Sequence, residues 1–259
     1  MSNVAKRSMI AAMALLAFAA GARDITADAP RNTDLDSLSH ELEDASTGYD
    51  LELAESVFER VDDLDSRRST AESLELRVRA GLLVAELLRI EFEKLDRHER
   101  KERTAIGRRI DAAAGDALER IDGLPESSER WRIRADLVAT QIRSDFRARK
   151  YHKEFESFSR RALELDEKNA RAWVTAAKPF VFAGPTHGQD HEEAIRLLDR
   201  ALELAPALEA AFLLRGMAEE RRGATDRALE NWRAALQANP LCAPAEEGIA
   251  RLDAAGSGR

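Results

Sequence analysis

Apolar and polar positions alternate along this chain with a helical period nearly throughout. No proline interrupts residues 31–124. Within that stretch Leu38, Leu42 and Ala45, then Leu53, Val57, Val61 and Leu64, recur at three- and four-residue spacing, so each set lies on one helix face. Gly48-Tyr49-Asp50 separates the two sets with turn-forming residues. A long helix is predicted from about Ser69 to Leu95, with Leu74, Val78, Leu82, Ala85, Leu88 and Phe92 on one stripe. Another is predicted from about Glu99 to Ile121 and stopped by Gly123-Leu124-Pro125. The next is expected to start at Ser127 or Ser128 and to run through Trp131, Ala135, Val138, Ile142 and Phe146. A shorter helix follows over Tyr151 to Leu165. Short turns between such helices make antiparallel hairpins.

The second half repeats itself. Arg161-Ala-Leu-Glu-Leu165 recurs unchanged as Arg200-Ala-Leu-Glu-Leu204, and more loosely as Arg233-Ala-Ala-Leu-Gln237. Pro206 and Pro240 are 34 residues apart, as are Ala201 and Ala235. That period is the length of one helix–turn–helix repeat. Composition agrees, because Ala and Leu far outnumber the β-branched Val and Ile that strands favour.

In the last repeat, Phe212, Gly216, Ala228, Trp232, Ala235 and Pro240 occupy the positions where tetratricopeptide repeats (TPRs) carry large, small, small, aromatic, small and proline residues. Over about Ala170–Pro240 the chain resembles that family. Gly223 matches its usual turn, whereas Arg215 and Glu219 depart from its Leu and aromatic. The preceding copy aligns through Trp173, Ala177, Phe180, Ala194, Leu198, Ala201 and Pro206, with about five extra residues in its turn, and Pro179 is expected to shorten or kink its first helix. Upstream the match fades, and the helix pairs between Ser69 and Leu165 are longer than the repeat allows. The fold expected is therefore all-α: about five antiparallel helix hairpins stacked as a TPR-like solenoid. Residues 34–168 form degenerate hairpins, 169–240 hold two TPR-type repeats, and 241–259 form a capping helix and tail.

The first residues read as an export leader. Lys6 and Arg7 precede fifteen uncharged residues, Ser8 to Ala22, which end in Ala20-Gly21-Ala22. This is the order of a cleaved secretory signal over 1–22, and the run is short of the roughly 20 residues that span a bilayer. Residues 23–33, with Ala29-Pro30, read as a linker. The expected compartment is periplasmic or extracellular, with no membrane span after cleavage. One cysteine, Cys242, excludes an intrachain disulfide and a cysteine-based zinc cluster. It reads as a small apolar filler near the cap.

Charge is uneven along the chain. The formal net charge is −8. Residues 34–65 sum to −11, from twelve acids against Arg60, whereas residues 97–161 sum to +5, from seventeen bases against twelve acids. The plainer reading is solvated helix faces balanced by their neighbours. An acidic chain with few aromatics interleaved among its bases excludes a nucleic-acid partner and argues against general binding to anionic membranes.

No nucleophile–base motif, paired zinc histidines or phosphate-binding glycine loop appears. The chain is expected to be no enzyme and to use no cofactor. His187-Gly-Gln-Asp190-His191-Glu-Glu193 is the most distinctive segment, and His187, Asp190 and His191 are its candidate metal ligands. The plain reading competes and is preferred: Asp190 followed by Glu193 is a capping box, which leaves the histidines in a polar turn. The stretch from Pro179 through the Gly-x-Asp turn also resembles exported TPR proteins of the TatT type, components of tripartite periplasmic transporters, without their lipid-attachment cysteine. That resemblance implies, as an alternative, an accessory protein binding a small solute or metal beside a transporter. The TPR resemblance implies a binding module that captures a protein or peptide on its concave helical face, alone or within a membrane or periplasmic complex. The inward positions would be Arg171, Val174, Lys178, Leu213, Met217, Glu220 and Arg221. Trp131, Trp173 and Trp232 read as core.

Overall fold

The computed structural model describes residues 33–67, 69–182 and 190–256. The leader, nearly all of the linker, the turn through His187, and residues 257–259 lie outside the described residues. Eleven α-helices and one short 3-10 turn make up the described chain, and it contains no strand. They are α1 (Thr33–Gly48), α2 (Leu51–Arg67), α3 (Ala71–Lys94), α4 (Arg100–Arg120), α5 (Ser128–Thr140), α6 (Asp145–Leu165), α7 (Ala170–Phe182), α8 (His191–Leu204), α9 (Glu209–Arg221), α10 (Thr225–Ala238) and α11 (Ala243–Gly256). Successive pairs pack as five hairpins, α1/α2 to α9/α10, and α11 covers α10. The protein is an all-α stack of antiparallel hairpins.

Side-chain caps set several of the helix starts. Thr70 and Ser73 form a reciprocal capping box at α3, and Ser127 caps α5. Ser144 caps α6 through the Arg147 amide, so the chain breaks after Thr140 and restarts at Asp145. Sequence periodicity carried the preceding helix through Ile142 and Phe146 and began the next at Tyr151. The cap overrides that reading because it satisfies a first-turn N–H that a continuous helix would not free. Pro179 lies inside α7, one turn from its end, and its missing N–H leaves the Thr175 carbonyl without its helical donor only three residues before Phe182.

Close packing explains the glycines of the last repeat. Trp232 is 1% exposed and lies between α9 and α11. A Cβ on Gly216 would collide with its indole, and one on Gly248 would stand 2.7 Å from the same ring. Gly223 turns between α9 and α10 at φ +78°, in the left-handed region that glycine enters without steric cost. Arg215 and Glu219, which depart from the repeat pattern, find polar partners instead. Arg215 pairs with Asp199 of α8 at 3.1 Å, and buried Glu219 lies 3.7 Å from Arg222. Trp131 and Trp173 are only half-buried, unlike Trp232. Trp131 stacks against Phe158 and between Arg130 and Arg134, while Trp173 donates its indole N–H to the Glu167 carbonyl.

The core runs through both halves of the stack, with α3 at its centre. Sixteen of its 24 residues are buried, including every residue from Ala80 to Ile90. A helix that meets no solvent over three turns must be enclosed on all sides. The enclosing helices are α1, α2, α4 and α5, and Glu86 of α3 also faces Lys178 of α7. Toward its C-terminal end, Leu87 and Ile90 approach Ala243 and Pro244 of α11. The hairpins therefore curl around α3 until their two ends meet.

Candidate interaction surfaces

The concave side that the TPR resemblance assigns to a partner is closed within the chain, with Glu86 of α3 set against Lys178 of α7. Val174 is 1%, Lys178 2%, Leu213 0% and Met217 3% exposed, so these four positions do not present side chains to a partner. Arg171 is half-buried, and burial first, then the Arg132 guanidinium, lowers its pKa to about 10. Glu220 is bound on both carboxylate oxygens by Arg251 of α11, at 2.7 and 3.0 Å. Arg221 donates to the Val181 carbonyl and lies over the Phe182 ring. All seven expected positions are thus engaged inside the chain. Their register as inward residues follows from helical spacing, but what they meet is another part of the same protein.

Lys178 belongs to an ionic network buried between α3, α5 and α7. Its ammonium is 2.6 Å from Asp136 Oδ1 and 3.8 Å from Glu86 Oε1. Asp136, 0% exposed, also accepts from Arg132 Nη1 at 2.6 Å and from the Thr175 hydroxyl. Arg132, fully buried, spans to both carboxylate oxygens of Glu129. Burial raises the Glu129 carboxyl, but the Arg132 charge and hydrogen bonds lower it further, to about 2. Such a network can hold three helices in one register, since each charge left unpaired there would cost several kcal/mol (~3–5).

The ends of the stack meet through a second polar cluster. Tyr49, in the α1–α2 turn at φ +57°, is a bulky residue in the left-handed region. Its hydroxyl donates to Glu209 at the start of α9 and lies 3.2 Å from Cys242 Sγ. Asn239 donates to the Thr47 carbonyl at 3.1 Å and to Glu209 at 3.0 Å. Cys242 is 0% exposed, and burial pushes its thiol up to about 12. Burial likewise raises the Tyr49 phenol. Sequence reasoning treated Tyr49 only as a turn residue and Cys242 only as filler. No local pattern could link positions so far apart.

Beside this junction lies an apolar cleft of about 50 Å³, bounded by Tyr49 and Leu51, by Leu87 and Ile90 of α3, and by Ala243 and Pro244 of α11. Glu91, Lys94 and Glu247 form its polar rim. Leu241, next to the cleft in sequence, is 60% exposed. The volume suits a few methyl groups rather than a drug-sized ligand.

Of the proposed metal loop, His187 lies outside the described residues. Asp190 caps α8 by accepting from the Glu193 amide at 3.0 Å. The reciprocal half of the box is not made, because Glu193 turns to Arg196. His191 is held below its usual pKa by burial and then by the neighbouring Arg221 charge, a setting that repels a cation. No group of three or more potential metal ligands occurs among the described residues.

No protein-family model matches the sequence, and no curated protein matches it. Among solved structures, the chain is similar to YrrB, described as a TPR protein with an unusual peptide-binding site. The two are 15% identical, the match covers 82% of this chain and 97% of that one, and the TM-score is 0.39. A likeness at that level concerns stacked helices and carries no site from one chain to the other.

Proposed function

We propose that this chain is an exported TPR-like interaction module that captures a polypeptide partner by contact and performs no chemistry. The observation that carries this reading is the cleft at the stack's junction. It is an apolar notch with a charged rim, built from the first hairpin, the central helix and the cap, beside a leucine left 60% exposed. Notches of this kind take an apolar anchor side chain, while the rim orients the flanking backbone. The buried charged groups of the interior support the same reading, for Arg132, Asp136 and Lys178 are committed to one another. The partner's anchor would enter between Leu51 and Pro244 rather than the closed concave groove.

The test is crosslinking of the tagged chain in its native cells followed by mass spectrometry, with a Leu241→Glu, Ala243→Glu variant run in parallel. Both residues are exposed, so the fold should survive the change. A small set of polypeptides retained by the wild type and lost by the variant is the expected result. An identical set from both would remove the cleft, and with it this reading.

A further inference from the structure

Charge matching holds over much of this molecule and fails on one face. Elsewhere exposed arginines find carboxylates: Arg60 with Glu41, Arg109 with Glu55, Arg161 with Glu126, Arg196 with Glu193. Along the outer side of α4 and the first half of α6 the cations exceed the acids. Residues 97–108 and 143–153 together hold ten Lys/Arg against three acids. Arg100, Lys101 and Arg108 of α4, and Arg149, Lys150 and Lys153 of α6, are exposed and make no salt bridge with a described residue.

The two helices adjoin where α6 begins. Asp111 in mid-α4 accepts from Arg143 and Arg147 at the start of α6, at 2.7 and 2.9 Å. Farther along, Leu118 of α4 packs against the apolar cluster that Phe155 of α6 forms with Ala135, Val138 and Ala139 of α5. On α6, Phe146, Lys150 and Lys153 follow at four- and three-residue spacing and share the outward stripe. Phe146 is 70% exposed, the most exposed large apolar side chain among the described residues. On α4, Arg100, Lys101, Thr104, Ala105 and Arg108 line a shallow depression of about 360 Å³.

We propose that this face docks the protein on an anionic phospholipid surface, with lysines and arginines on the headgroup phosphates and Phe146 inserted among the acyl chains. Polybasic stretches of four to eight cations with an aromatic wedge bind such surfaces without a spanning helix. No helix among the described residues is long and apolar enough to cross a membrane. A polypeptide partner fits the face less well. Protein interfaces gather several apolar side chains at their centre and deplete lysine, whereas here one aromatic stands among three lysines and three arginines. The chain's net charge of −8 does not oppose docking, because its acidic excess is concentrated on α1 and α2, where residues 34–65 sum to −11. Screening confines each face's potential to about 8–10 Å.

The test is co-sedimentation of the full chain with vesicles, either neutral phosphatidylcholine or containing about a third phosphatidylglycerol, at about 0.05 M and 0.5 M salt. Neutral vesicles report what the apolar segment at residues 8–22 contributes; Lys6 and Arg7 beside it add to any anionic preference, so the part of the preference that the α6 variants remove belongs to the face. Anionic vesicles should bind at least about tenfold tighter at low salt, with the preference largely lost at high salt. Arg149→Glu, Lys150→Glu, Lys153→Glu should remove most of the preference, and the glutamine versions should reduce it if the glutamates misfold. Phe146→Ser should weaken binding several-fold while keeping the preference. Equal binding to both vesicle types, or a preference that the triple variants leave undiminished, overturns the proposal. If vesicles show no preference but the triple variant loses crosslinked polypeptides, the face belongs to a protein partner and the lipid assignment is wrong. The cleft reading is unaffected by any of these results, since its variants lie on α11 and the turn before it.

Discussion

Replacing Lys178 by methionine distinguishes a buried strut from an exposed groove position. Methionine keeps the length of the stem and deletes the charge. The ammonium lost is 2.6 Å from Asp136 and 3.8 Å from Glu86, and all three side chains are at most 2% exposed. Removing one member of a buried ion pair costs about 3–5 kcal/mol. Asp136 keeps Arg132 and the Thr175 hydroxyl, which places the expected loss at the lower end, about 3 kcal/mol. For a chain of this size each kcal/mol moves the melting temperature by about 2–4 °C, so a drop of about 6–12 °C should follow. Glu86→Gln made together with Lys178→Met removes a carboxylate along with the ammonium and should recover about 1–2 kcal/mol. Urea denaturation followed by circular dichroism gives both numbers. A single variant within about 1 kcal/mol of wild type would show that the side chain reaches water, and the account of a groove closed within the chain would fail.

Four further outcomes follow from the packing and titration of particular groups. Gly248→Ala puts a Cβ 2.7 Å from the Trp232 ring and should cost about 1–3 kcal/mol, whereas Gly115→Ala in α4, with nothing within 4 Å, should add about 0.5–1; equal effects would refute the close approach. Tyr49→Phe removes the hydroxyl from Glu209 and should cost about 1–3 kcal/mol in urea denaturation; no loss would mean the ends are not joined through it. Cys242, with its thiol at about 12, should resist alkylation at pH 8 in the native chain and react fully in denaturant, and rapid native labelling would contradict its burial. Glu129 has a carboxyl pKa depressed from 4.5 to about 2, so its contribution to stability is present above 4.5 and lost as the pH falls toward 2. Glu129→Gln should flatten that acid limb, and an unchanged limb would assign it to other carboxylates.

The hairpins themselves were legible because their signals are local. Three- and four-residue spacing marks a buried stripe, and a 34-residue recurrence marks repetition, whatever the helices later touch. Gly216, Ala228 and Trp232, two small residues and an aromatic at repeat positions, mark one tight hairpin contact locally. Gly248, which completes the tryptophan's seat from the far side, belongs to the cap rather than to the repeat, so no repeat pattern contained it. The missed break at Ser144 has a different cause. Ile142 and Phe146 continue the apolar spacing of α5, yet Phe146 is 70% exposed, and a spacing argument assumes that every apolar residue in phase is buried.

The site was less legible because curvature is not a local property. Each hairpin fixes which face turns inward, and of the positions expected there Val174, Lys178, Leu213 and Met217 are buried. Whether an inward face meets water or protein depends on small rotations accumulated over five hairpins, and on the length of whatever lies on the axis. Here α3 has 24 residues, against 13 in α7 and in α9, and every residue from Ala80 to Ile90 is buried, Glu86 and Arg89 included. A helix of that kind needs enclosure more than it needs a partner. The buried charges indicate how the enclosure is kept specific. Apolar surfaces alone would let α7 slide along α3, but Lys178 can meet Asp136 and Glu86 together in only one register. The same condition accounts for where binding remains available. With the interior charges matched, the two surfaces proposed for binding, the notch where the ends meet and the cations of α4 and α6, both lie on the outside of the stack.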